Sequence, residues 1–60
     1  MPILKNWRTA KYYSDLSEFC LVGEIYNDTR FEDGTEIRTS EVLELKNGYA
    51  RTRNTTYILE

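Results

Sequence analysis

The fold is decided by the stretch LELKNGYARTRNTTYIL at residues 43–59. Its Asn47-Gly48 pair predicts a two-residue type I′ turn, because this dipeptide tolerates the left-handed backbone that such a turn needs. A second tight turn at Asn54-Thr55 would continue the meander. Together the two turns pair Lys46 with Tyr49, Leu45 with Ala50, Glu44 with Arg51, Leu43 with Thr52, Thr52 with Tyr57 and Ala50 with Leu59.

These pairings give the segment one apolar and one charged face. Side chains of a strand point alternately to its two sides, so a turn fixes which residues share a face. Both turns predict the same inner set, and the two assignments therefore agree on a single core. That set comprises Leu43, Leu45, Ala50, Thr52, Tyr57 and Leu59.

Asp33-Gly34 marks a hairpin farther upstream. A two-residue loop there would mix apolar and charged residues on both faces. A three-residue loop at 32–34, with Gly34 left-handed as a G1 bulge, separates them and is the preferred interpretation. It pairs Phe31 with Thr35 and Arg30 with Glu36. The inner face would then hold Thr29, Phe31, Thr35, Ile37 and Thr39.

The preceding strand shows the same alternation, and its glycine indicates curvature or a close backbone approach. Farther on, continued alternation would bury Glu41 and expose Val42, so we expect a bulge or bend near Ser40. Residues 7–13 read as a first strand or an extended arm. The inward positions of the preceding strand are Phe19, Leu21, Gly23 and Ile25.

Five short strands with a bend and a glycine predict an all-β fold for residues 1–60 as a single domain. The sequence fits a small five-stranded antiparallel SH3-like barrel or a strongly bent meander sheet. A flat meander sheet that dimerises through its apolar face is the competing architecture. The helical signal is limited to one short turn near 14–18, where Ser14 is a candidate cap.

Composition narrows the ways in which so small a chain is stabilised. Sixty residues bury a thin core, and proteins of this size often add disulfides, a metal or a partner subunit. Cys20 is the only cysteine and histidine is absent, which excludes an internal disulfide and mixed Cys/His zinc sites. Self-association is the remaining common route.

The sequence favours a cytoplasmic protein without a membrane segment. A lone thiol between Phe19 and Leu21 suits a reducing compartment, and no stretch approaches the length of a membrane span. The net charge of −2 argues against a general nucleic-acid binder, although it leaves a local basic face open.

Catalytic chemistry has little support. No histidine is available as a general base, and neither a phosphate-binding loop nor a paired-cysteine motif occurs. An Asp28 and Asp33 acid–base pair is conceivable, but Asp is a preferred turn residue. Oxygen ligands near residues 27–33 suit calcium without the EF-hand spacing. We therefore expect a non-enzymatic protein without cofactor or metal.

The outer face offers the best candidate binding residues. Arginine suits bidentate contacts with phosphate or carboxylate, and tyrosine offers a stacking surface. Cross-strand pairing of Arg51 with Glu44 and of Arg30 with Glu36 explains two of the arginines more simply, whereas the other two lack an obvious acidic partner. The candidates are Arg30, Arg38, Arg51 and Arg53, with Tyr49 and Tyr26 nearby.

Two functions follow. The favoured hypothesis is a module that binds another protein or its own copy through a sheet face or edge. Outward Ile58 and Val42 near Tyr49 support it, since outward apolar residues can mark an interface. Trp7 is expected to anchor the N-terminal segment over the core. The alternative is a small binder of nucleotide or nucleic acid that uses the arginine and tyrosine face.

Several motifs resemble those of an uncharacterised family of short bacterial and phage proteins, and the resemblance covers most of the chain. It implies a stand-alone cytoplasmic protein of bacterial or phage origin. It implies no activity, cofactor or functional residue. The motifs are Asn6-Trp7, Leu21-x-Gly23-x-Ile25-Tyr26-Asn27, Arg30-Phe31-x-Asp33-Gly34-Thr35-x-Ile37-x-Thr39-Ser40-x-Val42, and Thr52-x-Asn54-Thr55-x-Tyr57-x-Leu59.

Overall fold

A computed structural model describes the backbone of residues 1–12 and 15–60, and the side chains of residues 1–11 and 18–60. It confirms the predicted all-β class. None of the described residues belongs to a helix of the length and apolarity that a membrane span requires. The strands are β1 Ile3–Tyr12, β2 Asp15–Tyr26, β3 Thr35–Arg38, β4 Val42–Lys46, β5 Tyr49–Thr52 and β6 Thr56–Leu59.

The strands form one sheet in the order β3-β2-β1-β6-β5-β4. Two three-stranded antiparallel meanders, β1–β3 and β4–β6, are joined by parallel pairing of β1 with β6. Ile3 lies beside Ile58 in that parallel pair, and the Ile58 N–H donates to the Pro2 carbonyl at 2.9 Å. The sheet thus has six strands rather than five, because the N-terminal segment is a full strand that joins both meanders.

The sheet is open but strongly curled, and chain length requires the curl. Six strands spaced about 4.8 Å apart would put the two edges of a flat sheet roughly 24 Å apart. The connection from Arg38 to Val42 spans at most about 15 Å, from four Cα–Cα steps of 3.8 Å. The two edge strands must therefore curl towards each other, and the chain bends near Ser40 as expected to connect them. The bend is held by hydrogen bonds from the Thr39 N–H to the Leu21 carbonyl, 2.8 Å, and from the Arg53 N–H to the Glu41 carbonyl, 3.2 Å.

The core fills the concave side of the curl. The predicted alternation of β2 is confirmed, since Leu21 and Ile25 are fully buried and Phe19 packs against the core. Trp7 is also packed there, as expected for an aromatic anchor. The buried cluster consists of Leu4, Leu21, Ile25, Val42, Ala50 and Tyr57.

Gly23 lies at the close backbone approach that its position predicted. It faces a bulge in β1, where the pairing shifts between Lys5 and Arg8. A Cβ on Gly23 would lie 3.0 Å from the Lys5 carbonyl oxygen and from Trp7 Cα and Cβ. Asn6, within the bulge, has φ of 52°, the left-handed conformation that Asn tolerates better than most residues.

The β4–β5 hairpin matches the predicted register next to its turn only. The pairs from Lys46–Tyr49 to Glu44–Arg51 are confirmed, but a bulge then pairs Val42 rather than Leu43 with Thr52. Val42 is accordingly buried and Leu43 exposed, so both predicted orientations were wrong. The turn is not type I′, which needs positive φ at both central residues, since only Gly48 has it.

The β5–β6 register differs from the prediction by two residues. Ala50 pairs with Tyr57 rather than with Leu59. The turn is centred on residues 53–54 rather than 54–55, and Thr52 closes it, because its N–H and its hydroxyl both donate to the Thr55 carbonyl at 2.8 Å. A shift of two residues keeps every side chain on its face. Thr52 and Tyr57 therefore remain buried, and Leu59 packs against the core.

Residues 27–34 form a loop instead of the predicted hairpin strand. β3 pairs directly with β2, with Ile37 opposite Gly23, so the predicted Phe31–Thr35 and Arg30–Glu36 pairs are wrong. Gly34 does have the predicted left-handed backbone, with φ of 91°. Side chains satisfy the loop backbone: the Asn27 N–H donates to Asp33 Oδ1 at 2.9 Å.

The predicted inner face of that hairpin is only partly right. Thr39 is buried and Ile37 packs against the core, whereas Thr29, Phe31 and Thr35 are exposed in or beside the loop. The candidate helical turn falls partly outside the described residues, at residue 14. From Asp15 onward the backbone is strand β2, so no helical turn forms over 15–18.

Candidate functional site

The four candidate arginines lie on separate elements. Arg38 is on β3 and Arg51 on β5, with three strands between them in the sheet. Arg30 lies in the loop at 27–34, and Arg53 follows β5. Each one contacts a different neighbouring group.

Arg30 forms a two-pronged ion pair with Asp28. Its Nη2 lies 2.8 Å from Oδ2 and its Nε 3.1 Å from Oδ1, and the Arg30 N–H also donates to Oδ1 at 2.8 Å. These hydrogen bonds lower the pKa of Asp28 to about 2. The bonds to Asp28, and then one to the Tyr57 hydroxyl, raise the pKa of Arg30. Arg30 therefore makes its ion pair within the loop at 27–34.

Arg51 and Tyr49 share a carboxylate with Lys46 on the outer side of the β4–β5 hairpin. Arg51 Nε is 3.5 Å from Glu44 Oε1, and the Tyr49 hydroxyl donates to the same oxygen at 3.2 Å. The predicted Arg51–Glu44 pair is thus present. Partial burial favours a higher pKa for Glu44, but the Tyr49 hydrogen bond and the charges of Lys46 and Arg51 outweigh it and lower that pKa.

Arg53 has the acidic partner that the sequence did not reveal. Its Nη2 lies 2.6 Å from Glu41 Oε1, and its Nε lies 2.9 Å from the same oxygen. The partner was missed because the bend at 39–41 brings Glu41 beside the end of β5. Arg53 therefore holds the connection between the two meanders in place.

Arg38 covers the convex side of β2. Its Nη1 donates to the Lys11 carbonyl at 3.4 Å and lies 3.5 Å from the sulfur of Cys20, which is fully buried. Tyr26 lies elsewhere: its hydroxyl donates to Glu24 Oε1 at 3.2 Å, and Lys5 Nζ lies 4.9 Å from its ring centre. The six candidates therefore do not form one face, and their contacts are those of structural side chains.

The open side of the curl carries two adjoining grooves that share Leu45. One has a volume of about 370 Å³ and lies between Leu45 and Phe19, and Lys11 and Glu18 also line it. The other, about 380 Å³, lies between Leu45, Trp7 and Leu59, and Lys46 and Glu60 also line it. We call the residues Trp7, Phe19, Leu45 and Leu59, which line these grooves, the Leu45 surface.

Strand β4 forms one edge of the sheet beside these grooves. It is last in the strand order, so no strand in the part of the chain described hydrogen-bonds to its outer side, although β2 lies in contact with β4 across the curl. Leu45 is 41% exposed and Leu43 is 47% exposed. Edge strands with exposed apolar side chains are the usual templates for pairing with another chain.

The sequence placed Leu45 on the correct side of its strand but predicted that it would be covered. Its pairing with Ala50 was right, and Ala50 is fully buried. Leu45 remains exposed because β4 lies at the edge, which no local pattern reveals. The alternation of Leu and charged residues in β4 is the same in an edge strand and in a central one.

Comparison with known proteins finds no matching family, and no curated protein or solved structure that is significantly similar to the chain. Among the described residues, no group of three or more Asp, Glu or Cys side chains is arranged to hold a metal ion.

Proposed function

We propose that this chain is a non-enzymatic protein-interaction module that associates with a second copy of itself through the Leu45 surface and the free edge of β4. Its origin is proposed to be bacterial or phage and its location cytoplasmic. The observation that carries the proposal is the coincidence of exposed leucines, adjoining grooves and a free strand edge in one place.

Apolar exposure supports this site. Four large hydrophobic residues are exposed among the described side chains, and two of them lie on the five-residue strand β4. The grooves on either side of Leu45 extend the apolar area to Trp7 and Phe19. Aromatic and aliphatic side chains grouped in grooves are the usual anchors of protein interfaces.

Charge around the grooves favours a second copy over a strongly charged partner. The first groove is lined by Lys11 and Glu18, and the second by Glu60 and by Lys46, whose ammonium group lies beside Glu44. A partner of one sign would meet a like charge beside both grooves, whereas a second copy carries both signs.

Nucleotide or nucleic-acid binding has less support. Arg30, Arg51 and Arg53 each contact a carboxylate, and Arg38 lies against β2. An anion would have to displace those contacts at separate places on the molecule. The arginines therefore favour no second function.

We predict that Leu45→Glu weakens self-association by at least about tenfold, because truncating or charging a central apolar anchor commonly costs more than about 1 kcal/mol of binding free energy. Sedimentation equilibrium over a range of concentrations measures the effect. Phe31→Glu is the matched control: Phe31 is 40% exposed but lies in the loop at 27–34, so this variant should associate like the unmodified chain.

Equal association constants for the Leu45→Glu and Phe31→Glu variants would contradict the proposed surface. A chain that stays monomeric at every concentration reached would contradict self-association itself.

A further inference from the structure

We infer that the second copy adds to the sheet by antiparallel pairing of β4 with β4, about a two-fold axis through Leu45. This inference rests on the proposed function and adds the register, which is to say which residue of one copy faces which residue of the other. The sequence of β4, Val-Leu-Glu-Leu-Lys, carries the argument.

Symmetry leaves few registers open. Two identical strands related by a two-fold axis across a sheet run antiparallel, and side chains that face each other must lie on the same side of the sheet. Successive residues lie on opposite sides, so a residue cannot face its own chain neighbour in the second copy. The axis must therefore pass through one residue of β4, which then faces its own copy.

Charge and backbone geometry distinguish these positions. An axis through Glu44 or through Lys46 sets like charges directly opposite each other, which is destabilising. An axis through Leu43 falls on the bulge, where the ladder of β4 is already interrupted. An axis through Val42 would require Val42 to face its counterpart in the second copy, but Val42 is buried against the core of its own copy.

An axis through Leu45 has neither problem. Leu45 faces Leu45 of the second copy on the groove side, and two side chains that are each 41% exposed then cover one another. On the other side, Glu44 faces Lys46 of the second copy and Lys46 faces its Glu44. The alternation of charge about Leu45 is thus self-complementary.

Lys46 is able to make the contact across the interface. Its side chain is 61% exposed, and its Nζ lies 3.6 Å from Glu44 Oε2 within its own copy. That intrachain pair is a surface ion pair between residues two apart, which is worth little by itself. Turning Lys46 towards the second copy therefore gives up little and places it opposite an equivalent carboxylate.

A charge exchange tests the register. Lys46→Glu gives a strand with two acids and Glu44→Lys gives one with two bases, so each variant alone sets like charges opposite each other twice per dimer. Each should associate at least about tenfold more weakly than the unmodified chain. An equimolar mixture of the two variants should recover association, as heterodimers in which every acid faces a base.

Arg8→Glu is the matched control for Lys46→Glu. Arg8 has a similarly exposed side chain, at 65%, and an ion pair of similar length with Glu36, 3.7 Å. It lies on β1 outside the proposed interface, so this variant should associate like the unmodified chain. Amide spectra of every variant verify that the fold is retained.

A disulfide gives a second test that does not depend on charge. Residues facing each other in an antiparallel pair have Cα atoms about 4.5–5.5 Å apart, within the range that a disulfide bridges. Leu45→Cys should therefore form a covalent dimer under mild oxidation. Leu43→Cys should not, because residues 43 of the two copies would be roughly 14 Å apart, from the rise per residue of a strand.

The results separate the two proposals. A chain that associates, but whose Lys46→Glu variant associates normally and whose Leu43→Cys variant cross-links as readily as Leu45→Cys, would overturn the register and leave the proposed function standing. A monomer under all conditions would overturn both.

Discussion

At Asn6 and Gly23 the first two strands meet more closely than side chains normally allow. The β1 bulge sets Asn6 and Trp7 against the single residue Gly23, and a Cβ on Gly23 would lie 3.0 Å from Trp7 Cα. Asn6 adopts φ of 52°, which costs an ordinary residue about 1–2 kcal/mol. Gly23 is therefore required by the lack of space for a Cβ, and Asn6 suits the left-handed backbone of the bulge.

Substitution of Asn6 isolates this backbone effect. We predict that Asn6→Ala is less stable than Asn6→Gly by about 1 kcal/mol, because glycine adopts the left-handed conformation without a Cβ penalty. Both variants lose the hydrogen bond from Asn6 Nδ2 to Glu24 Oε1, 3.1 Å. The difference between their free energies of unfolding therefore reports the cost of the left-handed backbone. Urea unfolding measures it. Equal stability, or a more stable alanine variant, would contradict the assignment.

Asp28 gives the loop at 27–34 a defined response to acid. Its folded-state pKa of about 2 lies below the ordinary 3.8, because Arg30 bonds to the charged carboxylate. Because the carboxyl of Asp28 has a lower pKa in the folded than in the unfolded chain, its ionised form stabilises the fold above pH 3.8, and this stabilisation is lost as the pH falls towards 2.

Asp28→Asn should therefore be less stable than the unmodified chain at neutral pH, and the difference should shrink as the pH falls through this range. Arg30→Met should show the same convergence, because either substitution removes the pair. Urea midpoints taken along a pH series provide the measurement. A difference that is constant with pH would show that the pair does not contribute to stability in this way.

The connection at 39–41 is the element that gives the sheet its curl. β3 ends at Arg38, and beyond it the N–H of the buried Leu21 on β2 donates to Thr39 Oγ1 at 3.0 Å. The Thr39 hydroxyl in turn donates to the Ser40 carbonyl at 2.8 Å. One buried hydroxyl thus completes the ladder where the chain leaves one meander for the other.

We predict that Thr39→Val destabilises the chain by about 1–3 kcal/mol, because it leaves the buried Leu21 N–H without an acceptor while nearly preserving the side-chain volume. Thr39→Ser keeps the hydroxyl and should cost less. Thermal or urea unfolding of the two variants makes the comparison. If Thr39→Ser proved the more damaging, packing of the methyl group rather than the hydrogen bond would hold this connection.

The molecule as a whole has the surface of a folded monomer. Its accessible area is 4069 Å², and the scaling for monomeric proteins gives about 4,100 Å² for a chain of 7.1 kDa. Self-association would therefore join two folded copies rather than complete an unfinished core. For this reason we expect Leu45→Glu to lose its partner and keep its fold.

Turn residues by themselves determined the local part of this structure. Asn47-Gly48 fixed the three pairs of the β4–β5 hairpin nearest the turn, and Gly34 fixed a left-handed backbone at its position. Gly23 marked the close approach to β1. These features depend on a few neighbouring residues, and side-chain alternation carries them along a strand for as long as its ladder is unbroken.

The curl of the open sheet across the connection at 39–41 decided the rest. It placed the bulge that buries Val42 and exposes Leu43, brought Glu41 to Arg53, and left Leu45 at an open edge. It also set β1 parallel to β6. Each of these depends on contacts between residues far apart in the chain, whose positions follow only when all six strands share one curled sheet.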